Sequence, residues 1–342
     1  TLSRIIFGRI GSVLTSLLLG ILSMGFIGVL LRQFGIGINA TFPGIPVWAA
    51  IVGFTFCVTF TAIYGFKGLE SISYITAPSL WILVSVALYL TARESGGLGA
   101  IFEIQPENPI PFATAMGAAI ATWITGAALA SDITRYAKKP SHVVIGSLVG
   151  FIAGVALFEG ASVLSAIGIG NPNVVSVLQS LGLIIPGLIV LGFALWNTSD
   201  NNIYSSALAF TNVGSILNLK VNKAVWVLIT AAIALFTALT GVVAQFLSWL
   251  QLIGTFVPPF AGILIAHFWI LHRGKSDFHT PAKMRYSPFL AWAISIIIAR
   301  YSTFEIPAIV GVISAVIIYP ILAKLLDRKE PAANADVATV IE

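Results

Sequence analysis

Ten apolar stretches follow one another along the 342-residue chain, and each is about as long as a helix that crosses a lipid bilayer. Inside a bilayer the backbone has no water to bond with, so each stretch predicts an α-helix, in which the backbone groups bond one another. We therefore predict an all-α, multi-pass membrane protein, with a polar, disordered tail over residues 327–342. The ten predicted spans lie at approximately residues 12–31, 46–66, 72–92, 112–131, 143–167, 183–206, 224–243, 246–270, 288–302 and 305–325.

The composition supports lipid as the main solvent of this chain. Only 9% of its residues are charged, whereas soluble domains carry about 25%. The single cysteine, Cys57, excludes a disulfide within the chain and a cysteine-based metal site. The sequence contains no GxSxG, HExxH or Walker-type motif, so we expect a protein that is not an enzyme and needs no cofactor.

The positive charges alternate between successive connections. When the connections are numbered from the N-terminus, one alternate set holds 15 of the 18 Lys and Arg residues, and the other holds only Arg32, Arg93 and Arg300. Positively charged connections stay in the cytoplasm, so we expect both termini there and the protein in the inner membrane. The basic charge then serves topology, and the expected partners of this monomer are the lipid bilayer and a small-molecule substrate, not nucleic acid.

The sixth span contains six consecutive polar residues, 197–202, at a depth where lipid favours apolar ones. Ala194, Asn197, Thr198 and Asn201 recur at helical spacing and so share one face. Oxygen atoms on one face suit a hard cation such as sodium. Single polar residues often only join helices, but a run of six that includes Asp200 favours a lined cavity.

Three further side chains in the spans are candidates for function. Trp123, among small residues in the fourth span, suits stacking on a planar ligand, with plain packing as the alternative. Glu159 interrupts the fifth span and is interpreted either as a proton-coupling group or as a structural carboxyl. Asp132, at the end of the fourth span, is expected to pair with Arg135 or a neighbour.

Two irregular features are also expected. Pro258 and Pro259 lie within the eighth span and predict a kink or gate, since proline removes helix hydrogen bonds. The acidic connection 93–111 is interpreted as a solvated loop, with an extracellular gate or a short re-entrant helix as alternatives.

Five motifs, in order along the chain, resemble the nucleobase:cation symporter-1 family and, within it, the cytosine permease branch. They are RIIFGRIG at 4–11 with SLLLG at 16–20, SDITRY at 131–136, WNTSDNNIY at 196–204 and PPFAG at 258–262, together with the ten matching helices. The resemblance implies twelve helices in the inverted-repeat fold of the bacterial leucine transporter, of which this chain carries the third to the twelfth. Because the first helix of that fold supplies ligands, we expect the chain alone not to transport.

The resemblance implies a sodium site between the family's first and eighth helices. The residues at the matching positions of the eighth helix are Ala194, through its carbonyl, Asn197 and Thr198. The family usually has Ser or Thr where Asn197 stands.

The resemblance also implies which residues bind the substrate. Trp123 and Thr125 come from the family's sixth helix and Ser199 from its eighth, while Ser23 and Phe26 stand where cytosine permeases have Gln and Trp. Phenylalanine still stacks on a base, but serine cannot replace the paired donor and acceptor of an amide. This disfavours cytosine and leaves a purine, uracil, a hydantoin, allantoin or a thiamine pyrimidine.

The resulting hypothesis is sodium-coupled import of a nucleobase-like solute by alternating access, with Trp123 and Phe26 on the two faces of the ring. Three alternatives remain. The first is proton-coupled symport through Glu159, the second an amino-acid transporter of the same fold, and the third a non-transporting receptor or scaffold.

Overall fold

The computed structural model describes residues 2–64, 66–105, 109–134, 136–171, 173–241, 246–274, 282–302, 304 and 306–327. For residues 2, 66–69, 125, 129, 131–133 and 246–249 it describes only the backbone. The side chains of Thr125 and Asp132, the expected partner Arg135 and the predicted tail from residue 328 onward therefore lie outside the description.

All regular elements in the described ranges are helical, which confirms the predicted fold class. The α-helices are α1 (Leu2–Thr41), α2 (Val47–Ile63), α3 (Phe66–Glu94), α4 (Leu98–Glu103), α5 (Phe112–Thr134), α6 (Pro140–Val149), α7 (Phe158–Ile169), α8 (Val174–Ser180), α9 (Ile184–Ile216), α10 (Lys223–Thr240), α11 (Phe246–Ile265), α12 (Ser287–Tyr301) and α13 (Pro307–Leu326). Two π-helical segments, Gly150–Leu157 and Ala266–Leu271, extend α6 into α7 and continue α11.

Ten helical units correspond to the ten apolar stretches. By length and composition, six helices of the described residues can cross a membrane, and three shorter apolar helices accompany them. The tenth unit, α9, is 33 residues long, and the polar run divides its apolar residues. Several helical units are longer than the spans predicted for them. The first predicted span, 12–31, for example, lies inside a helix of 40 residues. Where these helices enter and leave the bilayer stays a prediction.

Helix α1 is broken near its start at Gly8, which has φ +83° and ψ 169°. Segment 282–285 runs beside residues 7–10, and three backbone N–H···O=C hydrogen bonds of 2.8–3.1 Å join them. A Cβ atom on residue 8 would lie 2.7 Å from the Cα of Met284. The break and the close approach both require glycine.

Two hydrophobic clusters divide the helices into two packed groups. The first joins α1, α5, α11, α12 and α13, and the second joins α1, α2, α9 and α10. Two hydrogen bonds show that α1 and α9 run antiparallel. The Ser206 hydroxyl donates to the Gly20 carbonyl at 3.1 Å, and the Asn212 amide, further along α9, donates to Ser16, earlier on α1, at 2.8 Å. Helix α1 thus holds α9, with its polar run, against the rest of the protein.

Helix α11 is continuous through Pro258 and Pro259, and the kink or gate expected there stays a prediction. Irregular hydrogen bonding lies at Ala266–Leu271, one helical turn beyond the glycine that ends the motif. Pro259 packs on Gly311 of α13, where an added Cβ would approach its Cγ to 2.9 Å. The connection 93–111 contains α4, so it is not wholly irregular loop.

Candidate substrate and cation site

The polar run of α9 presents its side chains to several neighbours, since six consecutive helical residues cover the whole circumference of the helix. Two of the six, Ser199 and Asp200, are buried, whereas Thr198 is exposed. The side chains of the run therefore lie in different environments, depending on the direction in which each one leaves the helix.

Asp200 is directed at α2. It is fully buried, and its two carboxyl oxygens lie 2.7 and 2.6 Å from the hydroxyl of Thr61. The indole N–H of Trp196 donates to the same hydroxyl at 2.9 Å. A buried carboxyl is costly without a partner, so this contact stabilises the packing of α9 on α2. From the sequence, Asp200 is interpreted, like Glu159 and Asp132, as either a coupling acid or a structural one. Its contacts with Thr61 support the structural role.

Asn197 is directed at α3. Its side-chain oxygen accepts a hydrogen bond of 3.0 Å from the hydroxyl of Ser73. The amide of Asn201 donates to the Asn197 carbonyl at 2.8 Å, so these two side chains occupy adjacent turns on one side of α9. No sequence pattern indicates a role for Ser73, because a lone serine at the start of an apolar span has no periodicity.

Thr198 and Ala194 form a pair of oxygen atoms on an accessible side of α9. The Thr198 hydroxyl donates to the Ala194 carbonyl at 3.0 Å, and the Thr198 side chain is exposed. Hard cations take oxygen ligands at about 2.3–2.6 Å, so two oxygens about 3 Å apart can share one ion. The residues present fit a sodium ion as a partial set, which other oxygens must complete.

The predicted substrate residues Ser23 and Ser199 belong to α1 and α9, two helices that pack on each other. Both are fully buried, and within the described part of the chain neither hydroxyl has a hydrogen-bond partner. Buried polar groups are usually satisfied. Two unsatisfied hydroxyls on neighbouring helices are therefore available to a ligand if the helices separate.

The two predicted aromatic residues are not brought together in this conformation. Phe26 packs against the first hydrophobic cluster, which Ala121, Ile124 and Ala128 of α5 also join. Trp123 projects from the other side of α5, is 40% exposed, and meets the ring of Phe151 edge to face at 6.0 Å. A ring held between Trp123 and Phe26 requires rotation of α5 or a new side-chain rotamer, so the arrangement stays a prediction.

Glu159 lies in the first turn of α7, directly after the π-helical segment, and is exposed. No hydrogen bond joins it to another residue in the described ranges. The Glu159 side chain is thus exposed on the surface of the protein, and its coupling role stays a prediction.

A contact near the predicted cytoplasmic ends of α5, α9 and α10 was not anticipated. The hydroxyls of Tyr136 and Tyr204 are 2.7 Å apart, and the Lys223 ammonium lies 4.0 Å from the centroid of the Tyr204 ring. The contact joins the segment after α5 to α9 and α10. Tyr136 and Tyr204 are 68 residues apart, and Lys223 belongs to another helix, so no local sequence pattern indicates the contact.

Comparison with known proteins identifies relatives of this chain. A family model described as "Permease for cytosine/purines, uracil, thiamine, allantoin" matches residues 1–289. The cytosine permease of Escherichia coli K12 is 29% identical over 339 residues, which are 98% of this chain and 79% of that protein. The allantoin permease of Bacillus subtilis 168 is 25% identical over 316 residues, which are 81% of this chain and 63% of that protein.

Two solved structures share the fold. Mhp1, a nucleobase-cation-symport-1 family transporter, superposes in a closed conformation with bromovinylhydantoin bound at a TM-score of 0.73, with 18% identity, over 95% of this chain and 79% of that one. Its inward-facing conformation gives a TM-score of 0.74 at 18% identity, over 95% of this chain and 76% of that one. The likeness confirms the expected transporter fold for the helices described above.

Proposed function

Because this chain belongs to the family of permeases for cytosine/purines, uracil, thiamine and allantoin, we propose that it imports a nucleobase or a related planar nitrogen heterocycle by sodium-coupled alternating access. The observation that carries the proposal is the polar run of α9, six residues in the middle of a 33-residue helix. Two sides of that run are used by contacts to α2 and α3, and the side with Thr198 is open.

We propose sodium as the coupling ion, held by the Ala194 carbonyl, Thr198 and Asn197. The adjacent oxygens of Ala194 and Thr198 support this assignment. Asn197 can join them when its oxygen leaves Ser73 for the ion, which would link ion binding to the contact between α9 and α3. A ligand shifts a conformational equilibrium only through its different affinities for the two states, and this exchange of partners supplies such a difference.

The proposed substrate is small, flat and able both to donate and to accept hydrogen bonds. The unsatisfied hydroxyls of Ser23 and Ser199 can each do both. Phe26 and Trp123 offer aromatic faces to the ring once α5 rotates or Trp123 changes its rotamer. The names of the relatives support this class, since they are permeases for cytosine and allantoin and a structure with a bound hydantoin. Ser23 favours bases other than cytosine, because a serine hydroxyl cannot replace the paired donor and acceptor of the Gln amide that cytosine permeases have there.

The same proposal includes the orientation. The 15 basic residues in one set of connections support cytoplasmic termini and residence in the inner membrane. A monomer is the proposed transporting unit.

Uptake measured with a panel of substrates tests this function. The full-length gene product, purified and reconstituted in liposomes, is offered radiolabelled uracil, hypoxanthine, cytosine, allantoin, hydantoin or leucine. We expect at least one heterocycle other than cytosine to enter faster than into protein-free liposomes, and leucine not to enter. Leucine uptake without heterocycle uptake would support an amino-acid transporter, and binding of a heterocycle without entry would support a receptor. Either result would overturn the proposal.

A further inference from the structure

A cavity lies between helices that do not include α9 and its polar run. It has a volume of about 750 Å³ and is formed by α5, α11, α12 and α13, with none of its lining residues from α1, α2, α3 or α9. It opens near the start of α5 and the junction of α12 and α13, which the charge pattern predicts to face away from the cytoplasm. None of its lining residues belongs to the proposed substrate and ion site.

The wall of the cavity is mostly apolar and made of small residues. Its polar lining side chains are Thr114, Gln251 and Thr255, and the Thr255 hydroxyl is already used by the Gln251 carbonyl at 2.9 Å. A planar heterocycle needs several directed hydrogen bonds, so this wall suits it poorly. A flexible apolar chain needs none.

Among the described residues that line the cavity, Arg300 alone carries a charge. It is exposed in the last turn of α12, where a cation also interacts favourably with the helix dipole. No carboxylate of the described residues pairs with it. The planar guanidinium can bind a phosphate group through two parallel hydrogen bonds.

Exposed aromatic residues define the depth of this arginine. Phe112 at the start of α5 is 71% exposed, Tyr301 beside Arg300 is 81% exposed, and Phe304 is 54% exposed. Aromatic residues are enriched at the interface between lipid headgroups and hydrocarbon. The exposed aromatic residues beside Arg300 thus support a position of this arginine near the headgroups, with the apolar wall on its hydrocarbon side.

We propose that this cavity binds one anionic phospholipid of the outer leaflet, with its phosphate on Arg300 and an acyl chain along the wall formed by α5 and α11. The positive charge of Arg300 and the apolar wall match the two parts of such a molecule. The binding does not depend on transport, so the proposal can fail or succeed independently of the proposed function.

The experiment is native mass spectrometry of the full-length gene product with phosphatidylglycerol, with phosphatidylcholine, or with inorganic phosphate. We expect one tightly retained phosphatidylglycerol. An Arg300→Gln variant should bind it at least about tenfold more weakly, because a hydrogen bond to a charged group contributes roughly 1.5–3 kcal/mol. Arg93→Gln is the matched control, since Arg93 is also exposed, in the last turn of α3. It should retain the lipid as the unaltered protein does.

A second variant tests the apolar part of the site. An added Cβ on Gly117 of the lining meets no atom within 4 Å, so Gly117→Leu should fill the cavity and release the lipid without disturbing its neighbours. Gly146→Leu, equally open but on α6, is its control. Equal lipid retention in Arg300→Gln and the unaltered protein, equal loss in both arginine variants, or displacement of the lipid by inorganic phosphate would overturn the proposal.

Discussion

Uptake by a Thr198→Ala variant should lose most of its dependence on sodium. The substitution removes one of two adjacent oxygens, those of Thr198 and Ala194, that the proposed ion would share. An interaction with a charged partner contributes roughly 1.5–3 kcal/mol, so the sodium concentration for half-maximal uptake should rise about tenfold or more. The measurement is initial uptake rate against sodium concentration in liposomes.

The matched control for that substitution is Thr211→Ala in the same helix. Thr211 makes the same kind of bond, from its hydroxyl to the carbonyl four residues earlier, at 2.7 Å. The two variants lose the same atoms from α9 and differ in position alone. If both retained the unaltered sodium response, Thr198 would have no place in an ion site.

A Gly8→Ala variant should be much less stable than the unaltered protein. Residue 8 has φ +83° and ψ 169°, an extended positive-φ conformation that costs an L-residue roughly 1–3 kcal/mol, and the new Cβ would lie 2.7 Å from the Met284 Cα. Three backbone hydrogen bonds hold segment 282–285 against α1 and oppose relief of that contact. We expect a loss of several kcal/mol, measured as a fall of about 5 °C or more in melting temperature in detergent.

Gly53→Ala serves as the control for glycine replacement. Gly53 lies within α2, and an added Cβ there meets no atom within 4 Å. Alanine favours helix more than glycine does, so this variant should melt at the same temperature or slightly higher. Equal melting of the Gly8 and Gly53 variants would mean that the break in α1 and its contact with 282–285 contribute little to stability.

The position of α9 explains why its open side is the candidate for ion binding. Asp200 is held by Thr61 of α2, Asn197 by Ser73 of α3, and Ser206 by the Gly20 carbonyl of α1. These contacts fix the rotation of the helix about its own axis. The oxygens of Ala194 and Thr198 are consequently presented in a constant direction, as a binding site on a rigid element requires.

Features that depend on local spacing could be predicted from the sequence. The helices follow from runs of apolar residues, and the proximity of Ala194 and Thr198 follows from their spacing of one helical turn. The sequence also predicts that the polar residues of α9 face different neighbours, because any six consecutive helical residues point in all directions around the helix axis. In each case the pattern and the structure involve the same short segment.

Contacts between distant segments could not be predicted in this way. Thr61 is 139 residues from Asp200 and Ser73 is 124 residues from Asn197, and neither carries a periodic signal. The hydrogen bonds between the broken first turns of α1 and segment 282–285 join residues more than 270 positions apart, so no local pattern indicates them. Trp123 was identified as a stacking residue, but its direction depends on how α5 packs against α11 and on the nearby Phe151.

Accumulation of the transported heterocycle against its gradient tests the central claim most directly. Liposomes that contain the full-length gene product receive an inward sodium gradient at equal pH on both sides, and parallel liposomes receive an inward proton gradient without sodium. We predict accumulation above the external concentration with the sodium gradient and none with the proton gradient. Accumulation driven by the proton gradient alone, and lost in Glu159→Gln, would contradict sodium coupling and identify Glu159 as the coupling group.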